Sequence, residues 1–488
     1  MVKIAAPQPT SIMVGDPRQP VGAALAFVAV GAAVIVLVSS GNAAAAFAFA
    51  FFAPILVLIA RRPQFGILLF VALAPFDGFR LLYEVPVVGA AWKFVLGGLV
   101  LAATFVCPKE ARAQARRRVP NWALPLLGFV LIGLASALKV GLVQGGVGLK
   151  LDFAYLLVAG AVWRCPLDAR DRDRLVSIFM VTALIAAVTG IAQQVMGSVA
   201  VHDLGYEYNT TIRFIGNSLR SFSTFENAPA FALYVSLALL MGVPQALRDT
   251  KRPRNRVFLF LIPIYLLGLG SAFSRSALLA FGAGILYLGL RRYRAVLAVL
   301  PLLLIAFLFF GGNVTETLSS SSSLNERTSG WQENVDQVVA HPLGVGIGAV
   351  GSAAETVVEL TGRTGDRYQP DNYFFKTVYE LGLLGLWMLV LLLMAAVNST
   401  HRAADRLAGA DQAFADGVAA TIVGAIVASF TASYFEIFPL DLLFWLLLTV
   451  VATMDGRVPR SEASRPTMLR VPRRAHRSAE PRVGAPVP

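Results

Sequence analysis

A handful of charged residues in an otherwise apolar chain have types and settings that suit chemistry. Arg213 and Arg220 lie in TIRFIGNSLRSFSTFENAPAFALY, just ahead of an apolar run. Arg275 lies in GLGSAFSRSALLAFGAG, at a tight junction between two apolar runs. Arg327 and His341 occur in a long polar stretch, and Asp371 with Asn372 stands immediately before YFFKTVYELGLLGLW. A guanidinium presents planar donors that match phosphate oxygens. Several arginines around one carboxylate suit a reaction in which a base takes a proton while cations hold a departing phosphate.

Each residue also has a plainer reading. Arg213 and Arg220 can be interfacial arginines paired with Glu226 or Glu207. Arg275 can bridge to another span, although a charge near hydrocarbon costs roughly 2.5–3.5 kcal/mol even on a lenient scale. In the functional reading, a helix starting after Ser274 adds oriented N–H groups and a dipole that favour an anion. His341 before Pro can simply cap or pack, and Asp371 or Asn372 can be an ordinary helix N-cap. Lys93, Lys150 and Asp152, in or beside apolar runs, can mark an ion pathway.

The elements that must position these residues are membrane spans. Of 488 residues, 56% are hydrophobic and only 15% charged, against roughly a quarter charged in soluble domains. Runs long enough to cross a hydrocarbon core recur throughout, so the chain is read as an all-α polytopic bundle of about 12–14 spans. Residues 1–20 form a polar N-terminal segment, 21–454 the membrane domain and 455–488 a basic, disordered tail. The first apolar run, about 21–39, is read as a retained span because it is longer than a signal-peptide core.

Roughly three quarters of the 42 Lys and Arg fall in short segments that alternate placement puts on the side of both termini, which the positive-inside rule makes cytoplasmic. The same bias explains the net charge of +13 without nucleic acid. Two longer segments face the other side, about 198–227 and 313–374. The second is expected to hold an amphipathic helix from Trp331 to Val339, a turn-rich HPLGVGIGAVG that cannot be a regular helix, and a short helix around Ala353–Leu360. Cys107 and Cys165, beside basic residues at the cytoplasmic ends of runs, are not expected to form a disulfide. There is no P-loop, HExxH or CxxC, so nucleotide hydrolysis and a zinc site lack support.

Taken in order, RSFSTFENAPAFALY, GSAFSRSALLAFGAG, the stretch from Arg327 through Trp331 to HPLGVGIG, and DNYFFKTVYELGLLG resemble the O-antigen ligase and polysaccharide polymerase superfamily over roughly residues 210–400. The resemblance implies an inverting membrane glycosyltransferase using a polyprenyl-pyrophosphate-linked oligosaccharide donor and a glycan or other hydroxyl acceptor, with membrane lipids and other polysaccharide-assembly proteins as neighbours. It implies no cofactor and no obligatory metal. Arg220, Arg275 and Arg327 would hold the pyrophosphate, Asp371 and Arg275 would act in catalysis, and Arg213, His341, Asn372 and Glu380 would support them. Ligases of the family commonly have His-Asn where this chain has Asp371-Asn372, which favours a polymerase or a ligase for another surface glycan. A transporter or flippase of lipid-linked oligosaccharide, or of a small solute, is the competing class. Polar residues gathered at the outer surface favour the enzyme, whereas a midplane cluster would favour transport. A scaffold in an assembly complex is the third.

Overall fold

The computed structural model describes residues 43–82, 86–107, 119–208, 211–215, 218–301, 304–305, 339, 341–362 and 372–455. Hydrocarbon offers a backbone N–H no water, so each crossing segment must bond within itself, and the chain is overwhelmingly helical. α1 spans Ala43–Arg61, and α2 spans Pro63–Leu73 and runs on as a 3-10 helix over Ala74–Leu82. There follow α3 (Pro86–Val106), α4 (Ala123–Val140), α5 (Leu142–Phe153), α6 (Leu156–Arg164) and α7 (Ala169–Asp203). A two-residue hairpin, β1 (Phe214–Ile215) and β2 (Ser218–Leu219), precedes α8 (Ala228–Arg248), α9 (Pro253–Ser271) and α10 (Arg275–Arg291). The last four are α11 (Gly351–Thr361), α12 (Tyr373–Arg406), α13 (Gly409–Ala428) and α14 (Leu440–Asp455).

Six described helical stretches are long and apolar enough to cross a membrane, and α5 with α6 makes a seventh as a pair bent by 48°. The all-α polytopic bundle is therefore the fold. α8 lies at its centre, buried along nearly its whole length against α7, α9, α10 and α13. Its start is written locally: Asn227 accepts from Ala230 N at 2.9 Å and Pro229 fills the first turn, where a missing N–H costs nothing.

Several boundaries differ from the apolar pattern because helices continue past the hydrocarbon into capped polar residues. The span read at 175–197 is α7, which starts after the Asp168 cap and runs to Asp203, broken at Gly197. The span read at 146–163 is the bent α5–α6 pair, and that read at 413–434 ends at Ala428, before an irregular stretch with a 3-10 turn at Tyr434–Glu436. The expected short helix near Ala353–Leu360 is α11, and HPLGVGIG is non-helical as expected. The first span, the Trp331 helix apart from Val339, and the tail beyond Asp455 lie outside the described residues.

Loops assigned to the basic side meet on one face. Arg62 pairs with Asp171 at 2.8 Å, Arg172 with Asp411 at 2.7 Å, Arg252 with Asp173 at 2.6 Å and Arg291 with Asp405 at 2.7 Å. Where both partners are exposed, as in Arg252 with Asp173, such a pair contributes little energy singly. The value of these pairs is in tying helix ends together.

The large external segment is anchored to the bundle at a break in α12. Gly382 has φ 71, and His341–Gly348 lies along the opening: Val345 N and Gly346 N donate to Tyr379 O (2.9 Å) and Glu380 O (3.0 Å), and Leu383 N donates to Pro342 O (3.1 Å). Gly344 approaches so closely that a Cβ there would strike Glu380 O and Gly382 N. Below this, Lys376 Nζ lies 3.3 Å from Asp152, 3.2 Å from Glu380 and 2.9 Å from Glu436, all four side chains buried. Tyr373 Oη donates to Asp152 (3.3 Å), and Val350 N, at the start of α11, donates to Glu380 (3.1 Å). Lys376→Ala leaves three carboxylates buried without their ammonium and is expected to cost about 3–5 kcal/mol. Thermal unfolding of the purified protein measures this, and an unchanged midpoint would show the cluster to be dispensable.

Candidate functional site

The external segment after α7 is held by one face of that helix. Ala186, Gly190, Gln193 and Gln194 are spaced to line a single stripe. Gln193 Oε1 accepts from Phe222 N (3.1 Å) and Ser223 N (2.7 Å), while its Nε2 donates to Ser223 O (3.0 Å). Ser221 Oγ donates to Gly190 O (2.8 Å) and Ser223 Oγ to Ala186 O (2.6 Å). On the other side Thr224 Oγ1 donates to Pro75 O (2.7 Å), and Gly78 N donates to Thr224 O (3.0 Å). The serines and threonine of RSFSTFEN are thus spent on backbone, and all three are at most 1% exposed. Ser223 sits at φ 57, a left-handed conformation that this network sustains.

This scaffold presents the arginines. The hairpin pairs Phe214 with Leu219, and Arg220 N donates to Arg213 O (2.9 Å), so the two arginines are cross-strand neighbours. Ser221 N donates to Ser271 O (3.0 Å), and Arg220 Nε donates to Ala272 O (3.4 Å), which fastens the hairpin to the turn between α9 and α10. That turn passes through Phe273 at φ 47 and delivers Arg275 as the first residue of α10. Ser274 is the N-cap residue, as expected, but makes no side-chain capping bond; its hydroxyl meets Ser276 Oγ at 3.0 Å. The positive end of α10 therefore lies beside a guanidinium without a cap from Ser274.

Burial, then the like charges of Arg213 and Arg275, push the Arg220 guanidinium below its ordinary value. An arginine remains cationic even so, and the shift records that three cations share one neighbourhood. Glu226 does not neutralise them, because it pairs with Arg80 at 2.8 Å. Among the described residues, neither Arg220 nor Arg275 has an ion-pair partner. Concentrated positive charge, planar donors and a helix N-terminus are features that suit an anion.

The other expected site residues sort differently. Asn372 is the N-cap of α12, accepting from Phe374 N (2.9 Å) and Phe375 N (3.2 Å). Glu380 belongs to the Lys376 cluster and not to the arginines. His341 is exposed, with its carbonyl accepting from Gly344 N (2.8 Å) in a turn. Arg327 and Asp371 lie outside the described residues. The charges read as a possible ion path are engaged in place: Lys93 bonds Asp77 at 2.5 Å, Asp152 bonds Lys376, and Lys150 lies 4.8 Å over the Phe94 ring.

Sequence reasoning missed Gln193, Gln194, Arg80, Lys376 and Glu436. Lys376 and Glu380 were visible as an i, i+4 pair of opposite charge entering an apolar run. Nothing in the sequence set the two glutamines apart.

Residues 257–390 match the O-antigen ligase family. The match covers 134 of the 488 residues and supports the O-antigen ligase superfamily. The matched stretch contains Arg275, Arg327, His341, Asp371, Asn372 and Glu380, whereas the hairpin arginines and their glutamines precede it. No curated protein matches the chain. The match and the apolar helices together support a multi-pass membrane protein with glycosyltransferase function of the O-antigen ligase and polymerase type.

Gly78 offers a test of the scaffold, since a Cβ there would fall on Phe225 O and Thr224 O. Gly78→Ala is expected to displace the arginine loop at a cost of about 1–3 kcal/mol. The checks are the thermal midpoint and the labelling rate of a cysteine placed at Ser218. Unchanged values for both would mean that the loop does not depend on this contact.

Proposed function

We propose that the chain transfers oligosaccharide units from a polyprenyl-pyrophosphate donor to a hydroxyl of a growing glycan or another acceptor, at the outer face of the cytoplasmic membrane with both termini cytoplasmic. The observation that carries this reading is the convergence of Arg213, Arg220 and Arg275 on the face opposite the basic loops, with no described carboxylate paired to Arg220 or Arg275. Cations on that face oppose the usual charge asymmetry, and a diphosphate supplies the reason to keep them there.

In the proposed reaction the acceptor oxygen forms a bond to the anomeric carbon as the bond from that carbon to the pyrophosphate oxygen breaks. A single displacement inverts the anomeric centre. The acceptor proton passes to Asp371, and the electron pair of the broken bond leaves with the polyprenyl pyrophosphate. Arg220 and Arg275, joined by Arg327, balance the charge that develops on the leaving oxygens, a role for which no metal is needed. Arg213 and the N–H groups of α10 support them, and Asn372 starts the helix that follows Asp371. The departure from His at position 371 favours a polymerase, or a ligase for a glycan other than lipid A core. Transport finds less support, because Lys93 and Asp152, two of the three charges that could mark an ion path, are engaged with Asp77 and Lys376.

Arg275→Ala, inserted normally, is expected to lower product formation about 10²–10³-fold, with lipid-linked single units accumulating and chelators leaving the wild type unaffected. Normal polymer from that variant would sink the proposal. Asp371→His tests the base. A histidine must be neutral to accept a proton, so activity of that variant should rise with pH through about 6.5, whereas the wild type should be flat above about pH 5. The pH dependence of kcat/KM reads this, and identical profiles would remove Asp371 from that role.

A further inference from the structure

We infer that Gln194 is a positioning residue that sets the spacing between the guanidinium groups of Arg220 and Arg275, and so the site's preference for a diphosphate. The inference rests on the anion-site reading above.

Gln194 stands on α7 where two separate segments meet. Its Nε2 donates to Leu219 O and lies 3.0 Å from Ser221 Oγ, both flanking Arg220, and it donates to Ser271 O, also at 3.0 Å, the last residue of α9 before the turn to Arg275. One amide group therefore touches both arms that carry the arginines. Two N–H bonds serve three oxygens, so the contacts are shared, and moving either arm weakens the hold on the other. Ser221 N donates to the same Ser271 carbonyl, which makes that oxygen the junction of the two arms.

The neighbouring glutamine has a different reach. Gln193 bonds only Phe222 and Ser223, fixing the strand to α7 but not to the turn. Against the junction works the repulsion between Arg220 and Arg275, which favours spreading the arms whenever no anion is bound. Arg220 itself adds only one long bond across the gap, to Ala272 O at 3.4 Å. Gln194 is the side chain that resists the spreading. A diphosphate, with charge on two phosphorus centres, needs two cations at a set separation, whereas a single phosphate can be held by one.

The test uses the purified full-length protein in lipid nanodiscs, with binding of inorganic pyrophosphate and of orthophosphate measured for wild type, Arg220→Ala, Arg275→Ala, Gln194→Leu and Gln194→Met. Gln194→Met keeps the unbranched length, adds no charge and has no hydrogen to donate, so it answers the question even where the leucine variant fails to insert. Each arginine variant should weaken pyrophosphate by about tenfold or more, the size expected for a charge-assisted bond. The Gln194 variants should lower the ratio of pyrophosphate to orthophosphate affinity by about fivefold, with KM for the lipid-linked donor rising and the thermal midpoint little changed. A merely structural role would weaken both anions alike. If the arginine variants lose pyrophosphate while both Gln194 variants keep the ratio, Gln194 does not set the spacing and the anion site stands. If the arginine variants bind as wild type does, the anion-site reading falls and this inference with it.

Discussion

Hydrocarbon supplies no partner for a polar group, so every such group within the bundle must find one in the protein. Most of the buried charge in this chain obeys that constraint with groups from distant segments. Lys93 is held by Asp77, Lys376 by Asp152, Glu380 and Glu436, and Arg172 by Asp411. Against that background Arg220 and Arg275 are the exception, with no ion-pair partner among the described residues. Glu226 of the same loop is engaged with Arg80.

Cations without a counter-charge spread apart unless the backbone carrying them is fixed. Two helices do the fixing. α7 offers a stripe of backbone carbonyls and two glutamines to the segment 219–224, and the broken α12 offers its opened carbonyls to the segment 341–348. In both places a loop that would cost several kcal/mol if its amides lay unpaired at membrane depth is made part of the bundle. The strained conformations fall close to the arginines, Ser223 three residues after Arg220 and Phe273 two before Arg275, where rigid placement matters most.

The same arrangement separates holding from reacting. The Lys376 cluster is tied to its own members and to the Val350 amide, and it anchors the external segment. The helix N-terminus at Arg275 differs, because Ser274 makes no side-chain cap there. The transfer proposed above needs both a stiff anchor buried in the bundle and donors at its outer rim.

Composition and periodicity were enough to determine an all-α membrane bundle, the gathering of the basic loops on one face, the helix starts at Asn372 and after Ser274, and the oddness of arginines on the other face. These features are local, or are sums along the chain, and hydrophobic thickness and charge bias act on them directly. Only the tertiary structure decided that Glu226 serves Arg80, that Glu380 belongs to Lys376, and that two unremarked glutamines hold the arginine loop. Lys376 and Asp152 are 224 residues apart, and Gln194 meets carbonyls 25 and 77 residues away. Such partners follow from which helices pack together, and apolar spans of similar length and composition carry almost no information about that.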